Sequence, residues 1–244
     1  MKKINSKFLL VVALIFTTSL SAQNWWKNSV KGNSNITKIS RSTSDYDAIK
    51  CVGFMDFELV KGKEGNISIE GEENLLEYII TEVKNNALIV KVENGVNLKT
   101  SRNKGIKITI PFEDIEKISL SGSGDVWNTD MIVIDNLSID LAGSGDIKLT
   151  LKTESLTSSV SGSGDIKVVG ETKNLETKVT GSGDFHGFEL NADNTEASVT
   201  GSGDIKVVSN KMLKARVTGS GDIQYKGNPD KEDTKVVGSG SIKK

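Results

Sequence analysis

The 244-residue sequence contains one cysteine and one histidine. A single cysteine, Cys51, excludes an intramolecular disulfide and is expected as a small buried apolar residue. With Cys51 and His186 far apart, no conventional nucleophilic dyad is available. There is no excess of basic residues either. Lys and Arg total 31 against 32 Asp and Glu, a formal charge of −1. Such a balance argues against a nucleic-acid partner, which calls for a basic patch. Phosphate-binding signatures are missing as well: no GxxxxGK[ST] occurs, and no glycine pair completes GxGxxG.

Long apolar runs are limited to one. Lys2, Lys3 and Lys7 precede an apolar stretch from Phe8 to Phe16, and small residues lead to a cut after Ala22. This is the layout of a secretory signal peptide, and the run falls short of the ~20 residues that a spanning helix needs. Residues 1–22 are therefore expected to be removed, leaving a net charge of −4 once those three lysines are subtracted from −1. No cysteine lies at the cut, so lipid attachment there is not expected. The mature chain is expected outside the cytoplasm: in the periplasm, at the outer-membrane surface or secreted.

Residues 23–45 are polar and weakly patterned, and read as a lead segment that Trp25 and Trp26 dock or leave exposed. Residues 46–244 read as a single β-helix domain, irregular over 46–118 and repetitive over 119–244. In the irregular part GFMDFELV, NISIEG, ALIVKV and GIKITI alternate apolar and polar residues as half-buried strands do. KGKEGN reads as a turn, Asn74 as the start of a short helical turn, and Pro111 as the end of a strand.

What the sequence does have is repetition. GSGD begins at Gly122, Gly143, Gly162, Gly181, Gly201 and Gly219, and GSGS at Gly238, at intervals of 21, 19, 19, 20, 18 and 19 residues. Two residues before each first glycine stand Leu120, Leu141, Val160, Val179, Val199, Val217 and Val236. Four residues after it stand Val126, Ile147, Ile166, Phe185, Ile205, Ile223 and Ile242. Six before the later copies come Leu137, Leu156, Leu175 and Leu213, with Thr195 and Glu232 as departures. Even offsets place all of these on one face of an extended chain. The intervening positions are polar, among them Ser121, Ser161, Thr180, Thr200 and Thr218.

A period near 20 is too short for a strand–helix–strand unit and predicts one solenoid coil per repeat. The fold class is thus all-β, a parallel β-helix with coils of about 19–20 residues. Glycines at a fixed offset mark a corner or close approach in every coil. Stacking also puts Asp125, Asp146, Asp165, Asp184, Asp204 and Asp222 in one column. Carboxylates ~4.8 Å apart repel by ~0.9 kcal/mol per pair even at the dielectric of water. Lys148, Lys167 and Lys206, two residues on, would screen some of them; Trp127, His186 and Gln224 hold that place elsewhere. The column is the candidate cation site, and calcium the candidate ion. One carboxylate per coil is a thin supply for an ion wanting six to eight oxygens, so a solvated, turn-capping column is the expected role. His186 is expected as a solvated surface residue. No other cofactor and no catalytic residue is expected, because acids recur uniformly with no coil singled out.

The run GFMDFELVKGKEGNISIEGEENLLEYIITEV, then ITIPFEDIEKISLSGSGD, then the serial GSGDI copies resembles the head GIN domain family, described as autotransporter adhesins and common in the Bacteroidetes lineage. The similarity spans roughly 46–244. It implies a right-handed parallel β-helix, secretion past the inner membrane and an adhesive surface role, with no catalytic or binding residue to carry over. The expected function is an exported, non-enzymatic surface-interaction module contacting a cell-surface or extracellular glycan or protein. The alternatives are a cation-stabilised structural module using the aspartate column and a polysaccharide-active β-helix enzyme.

Overall fold

The computed structural model describes residues 28–244; the expected signal peptide, Trp25 and Trp26 lie outside them. The N-terminal part holds β1 (Asn28–Lys31), β2 (Ile36–Ser42), β3 (Ala48–Gly53), β4 (Asp56–Lys61), β5 (Asn66–Glu72), the single-turn α1 (Glu73–Leu76), β6 (Ile79–Lys84), β7 (Ala87–Val92), β8 (Val96–Lys99) and β9 (Lys107–Phe112). The repeats supply β10 (Lys117–Gly122), β11 (Val126–Asn128), β12 (Ile132–Gly143), β13 (Ile147–Gly162), β14 (Ile166–Gly181) and β15 (Phe185–Gly201). They continue as β16 (Ile205–Val208), β17 (Met212–Gly219), β18 (Ile223–Lys226), β19 (Lys231–Gly238) and β20 (Ile242–Lys243).

Successive repeats pair in parallel, one coil directly above the last. Val160 is in register with Val179, Val179 with Val199, Val199 with Val217 and Val217 with Val236. Ile147, Ile166, Phe185, Ile205 and Ile223 form a second column, and each of them is fully buried. Each such side chain contributes ~1.5–3 kcal/mol of hydrophobic burial. That burial exists only because a neighbouring coil covers it, so stability is shared along the axis. The architecture is the expected parallel β-solenoid. The polar parity faces water: Ser121, Ser161, Thr180, Thr200 and Thr218 are all exposed.

The irregular segment conceals one more coil. Gly122 is in register with Gly53, Leu120 with Cys51, and Val126 with Phe57. GFMDF at 53–57 is therefore a degenerate copy of GSGDV. On its far side lie β7, paired with β3, and β9, paired with β4, both parallel. The chain thus lays down an inner coil, passes outward to build a rung beyond it, then returns to start β10. Antiparallel strands finish that end: β6 on β7, β5 on β9 and β2 on β5. Residues 28–42, read from sequence as weakly patterned, contribute two paired strands, β1 against β8 and β2 against β5.

Pro111 was expected to end its strand, yet β9 runs one residue further and Pro111 is in register with Val60. The missing N–H costs nothing there. Phe112 directs its carbonyl toward β4, accepting from Gly62 N–H, so its neighbour Pro111 faces the opposite edge. On that edge β5 reaches only as far as Thr109. Cys51 is buried among the core side chains, as expected, and burial pushes its thiol pKa up.

Candidate functional site

The GSGD corner is built from backbone. The first glycine of each copy has a positive φ, +120° at Gly181, which side chains seldom adopt. The second sits so close to the coil below that a Cβ on Gly183 would lie 2.1 Å from the carbonyl oxygen of Gly164. Both N–H groups that follow the first glycine are used. Ser182 and Gly183 donate to the carbonyl of Gly162 at 2.8 and 3.0 Å. In the inner coil Met55 holds the second glycine position and is fully buried in the core, at a point where the neighbouring rung is out of register between Val90 and Lys107.

The aspartates do form a column, and it begins earlier than the repeats imply, at Asp56. Each carboxylate accepts the backbone N–H of the aspartate one coil on. Asp125 donates to Asp56 Oδ1 at 3.3 Å, Asp146 to Asp125 at 3.1 Å and Asp165 to Asp146 at 3.3 Å. Asp184 donates to Asp165 at 2.9 Å, Asp204 to Asp184 at 2.7 Å and Asp222 to Asp204 at 2.8 Å. Ser241 ends the series, offering both its N–H and its hydroxyl to Asp222 Oδ1 at 2.7 and 2.8 Å. Those two bonds, the hydroxyl's first, hold the Asp222 carboxyl below its usual range. At the other end burial pushes the Asp56 carboxyl up, against the bond from Asp125 N–H.

Charge repulsion along the column is therefore met chiefly by backbone N–H groups, one per carboxylate. The expected lysine screening is narrower than the sequence implies. Lys148 Nζ lies 3.3 Å from Asp146 Oδ2. Lys167 instead pairs with Glu189 Oε1 at 2.7 Å. Glu189 reaches it because the β14–β15 register slips between Lys167 and Val169, where Gly187 and Phe188 add a bulge.

His186 is not a free surface group. It is in register with Lys167 and Lys206, yet its Nε2 lies 3.8 Å from Asp165 Oδ2 and 4.0 Å from Asp184 Oδ2. Its side chain is 35 % exposed. One coil is singled out after all. The signal was in the sequence, a histidine replacing the lysine of its copy.

Two further features complete the outer surface. Asn194 Nδ2 donates to Asn174 Oδ1 at 2.9 Å, part of a shallow groove of about 280 Å³ that Leu156, Leu175, Thr195 and Met212 also line. Trp127, half-buried, lies beneath Lys107, whose Nζ is 5.6 Å from the ring centroid.

Several solved structures share this architecture. A putative adhesin from Bacteroides fragilis is 25% identical, over 88% of this chain and 99% of its own, with a TM-score of 0.81. A putative lipid binding protein from Parabacteroides distasonis is 28% identical over 88% and 99%, with a TM-score of 0.74. A putative adhesin from Parabacteroides merdae, 23% identical over 88% and 98% with a TM-score of 0.70, shares the fold. No curated protein matches the chain. The family described as "Putative auto-transporter adhesin, head GIN domain" matches residues 45–229, and the chain belongs to it.

Proposed function

We propose that this protein is an exported, non-enzymatic module of the adhesin type, whose flat lateral faces engage a glycan or protein outside the cell. The observation that carries this reading is the column of exposed hydroxyls at Ser121, Ser161, Thr180, Thr200 and Thr218. Parallel stacking repeats them every ~4.8 Å along a rigid sheet. Beside them runs a mixed column of Asp140, Ser159, Lys178, Ser198, Arg216 and Lys235. Such a surface offers many weak polar contacts in fixed spacing, which suits an extended or multivalent partner through avidity. Family membership and the adhesin names of two related structures support the same reading. Residues 1–22 are the proposed export signal, and residues 46–244 the proposed single β-helix domain.

The protein, with and without Thr180→Arg and Thr200→Arg, is applied to arrays of glycans and extracellular-matrix proteins. Saturable binding weakened by the two arginines is the expected result. Release of reducing sugars or unsaturated products from any glycan would replace the reading with an enzymatic one. Recovery of the protein from the cytoplasm with residues 1–22 still attached would remove the export half of it.

A further inference from the structure

We propose that Asp165, Asp184 and His186 form a binding site for a zinc-class divalent transition ion, at one coil of an otherwise uniform column. The three candidate ligand atoms, two carboxylate oxygens and one imidazole nitrogen, lie within 4.8 Å of one another. A tetrahedral zinc site with bonds of 2.0–2.2 Å sets neighbouring ligand atoms about 3.3 Å apart. The observed 3.8 and 4.0 Å from Nε2 to the two Oδ2 atoms thus need to contract by about 0.5–0.7 Å, and the two carboxylate oxygens, within 4.8 Å of each other, close in with them.

Two features separate this coil from the rest of the column, in addition to an orientation of the carboxylates that all its coils share. The carboxylates are already oriented, because Oδ1 of Asp165 accepts from Asp184 N–H and Oδ1 of Asp184 from Asp204 N–H. Each Oδ2 is thereby directed outward on a rigid backbone. The competing ammonium has been drawn off: Lys167, which by analogy with Lys148 and Asp146 would neutralise Asp165, is held by Glu189 across the bulge. The equivalent lysine of the next coil is itself His186. Lys206, in register with His186 on the following coil, is the remaining neighbouring cation.

The donor set decides the ion. Calcium and magnesium call for six or more oxygens, whereas two carboxylates and an imidazole form a mixed N/O set that zinc and its first-row neighbours prefer. Three protein ligands facing solvent leave a fourth position for water or for a donor from a partner.

The test uses tag-free protein stripped with a chelator and titrated with zinc chloride or calcium chloride by calorimetry. His186 is the only histidine in the chain, so a nitrogen-15 imidazole spectrum reports on one ring. The expected result is one zinc per chain, a displaced Nε2 resonance at stoichiometric zinc, and much weaker calcium binding. His186→Lys restores the residue of the neighbouring coils and is expected to melt like the parent while binding zinc more than about tenfold more weakly. An Nε2 resonance that zinc leaves unmoved, equal zinc affinity in H186K, or calcium binding as tight as zinc would each overturn the proposal.

Discussion

The backbone N–H of Asp222 donates to Oδ1 of Asp204 at 2.8 Å, and that bond couples one coil's corner to the next. The side chain's first task there is acceptance, and its charge is secondary. Asp204→Asn keeps an acceptor oxygen and removes one repelling charge, so its melting temperature is expected to stay near the parent's. Asp204→Ala leaves the Asp222 N–H without its acceptor and is expected to cost about 1–2 kcal/mol. Equal losses in the two variants by chemical denaturation would mean that charge, not acceptance, is what the column needs.

The second glycine of the corner admits no side chain. At Gly183 an added Cβ would fall 2.1 Å from a backbone oxygen that the stacked coil cannot withdraw. Gly183→Ala is expected to lose more than about 4 kcal/mol, or to fail to fold. Gly95 supplies the control. Its φ is +82°, with no atom within 4 Å of an added Cβ. Gly95→Ala is expected to cost only the left-handed backbone term, about 1–2 kcal/mol. Circular dichroism melts of the pair separate crowding from backbone strain.

The repeats made the coil legible because stacking forces like residues into one column, and a column is visible as a fixed offset. Val160, Val179 and Val199 needed no coordinates to be placed together. The inner coil at 53–57 escaped for a physical reason. Phe54 and Met55 replace the small residues of GSGD, and the next copy is 69 residues on because the outer rung is inserted between. Alternation identified β7 and β9 as strands, but it carries no record of which strand each one joins, parallel or antiparallel. Of the site, the aspartates and the odd histidine were visible as letters. The diversion of Lys167 by Glu189 was not, since it follows from a local slip in register.

Acid sensitivity has a specific source at the N-terminal end. Glu72 is buried, and its carboxylate accepts from the Ser101 hydroxyl and N–H at 2.6 and 2.8 Å and from Ser34 N–H at 2.6 Å. The Ser101 hydroxyl foremost holds its pKa below the usual value. A depressed folded-state pKa gives stability that is full above the unfolded pKa, ~4.3, and is lost as pH falls through the folded value. Glu64, raised by burial, works in the opposite sense, so the parent curve alone does not isolate Glu72. Glu72→Gln is expected to be less stable than the parent at pH 7, with the two curves converging as pH falls below the unfolded pKa and through the lowered folded one. A difference that stays constant with pH would assign the loss to packing.

Three buried hydroxyls among the described residues, those of Thr43, Ser158 and Thr177, have no partner. Ser158 and Thr177 sit in register in an interior column with Ile139, Ala197 and Ala215, each hydroxyl about 1 % exposed or less by residue. An unsatisfied buried hydroxyl carries a desolvation penalty, and a methyl of the same shape does not. Thr177→Val is expected to gain about 1 kcal/mol, a rise of about 2–4 °C in Tm. A loss of stability would mean that a buried water satisfies the hydroxyl.

Glu232 stands at the exposed edge of the solenoid in a column otherwise made of Leu137, Leu156, Leu175, Thr195 and Leu213. Among the described residues β19 pairs only with β17, so its other edge is free to take a strand from another molecule. A charge in a core position obstructs such pairing, because joining a second strand would bury it. Tyr225 Oη donates to Glu232 Oε2 at 3.1 Å and holds the carboxylate at that edge. Glu232→Leu completes the apolar column, exposes it beside Val236, and is expected to shift the protein toward dimers or larger species as concentration rises. Sedimentation velocity of the parent and variant over a concentration series reads this directly. An unchanged distribution would mean that the lysines of β19, Lys231 and Lys235, protect the edge without help from Glu232.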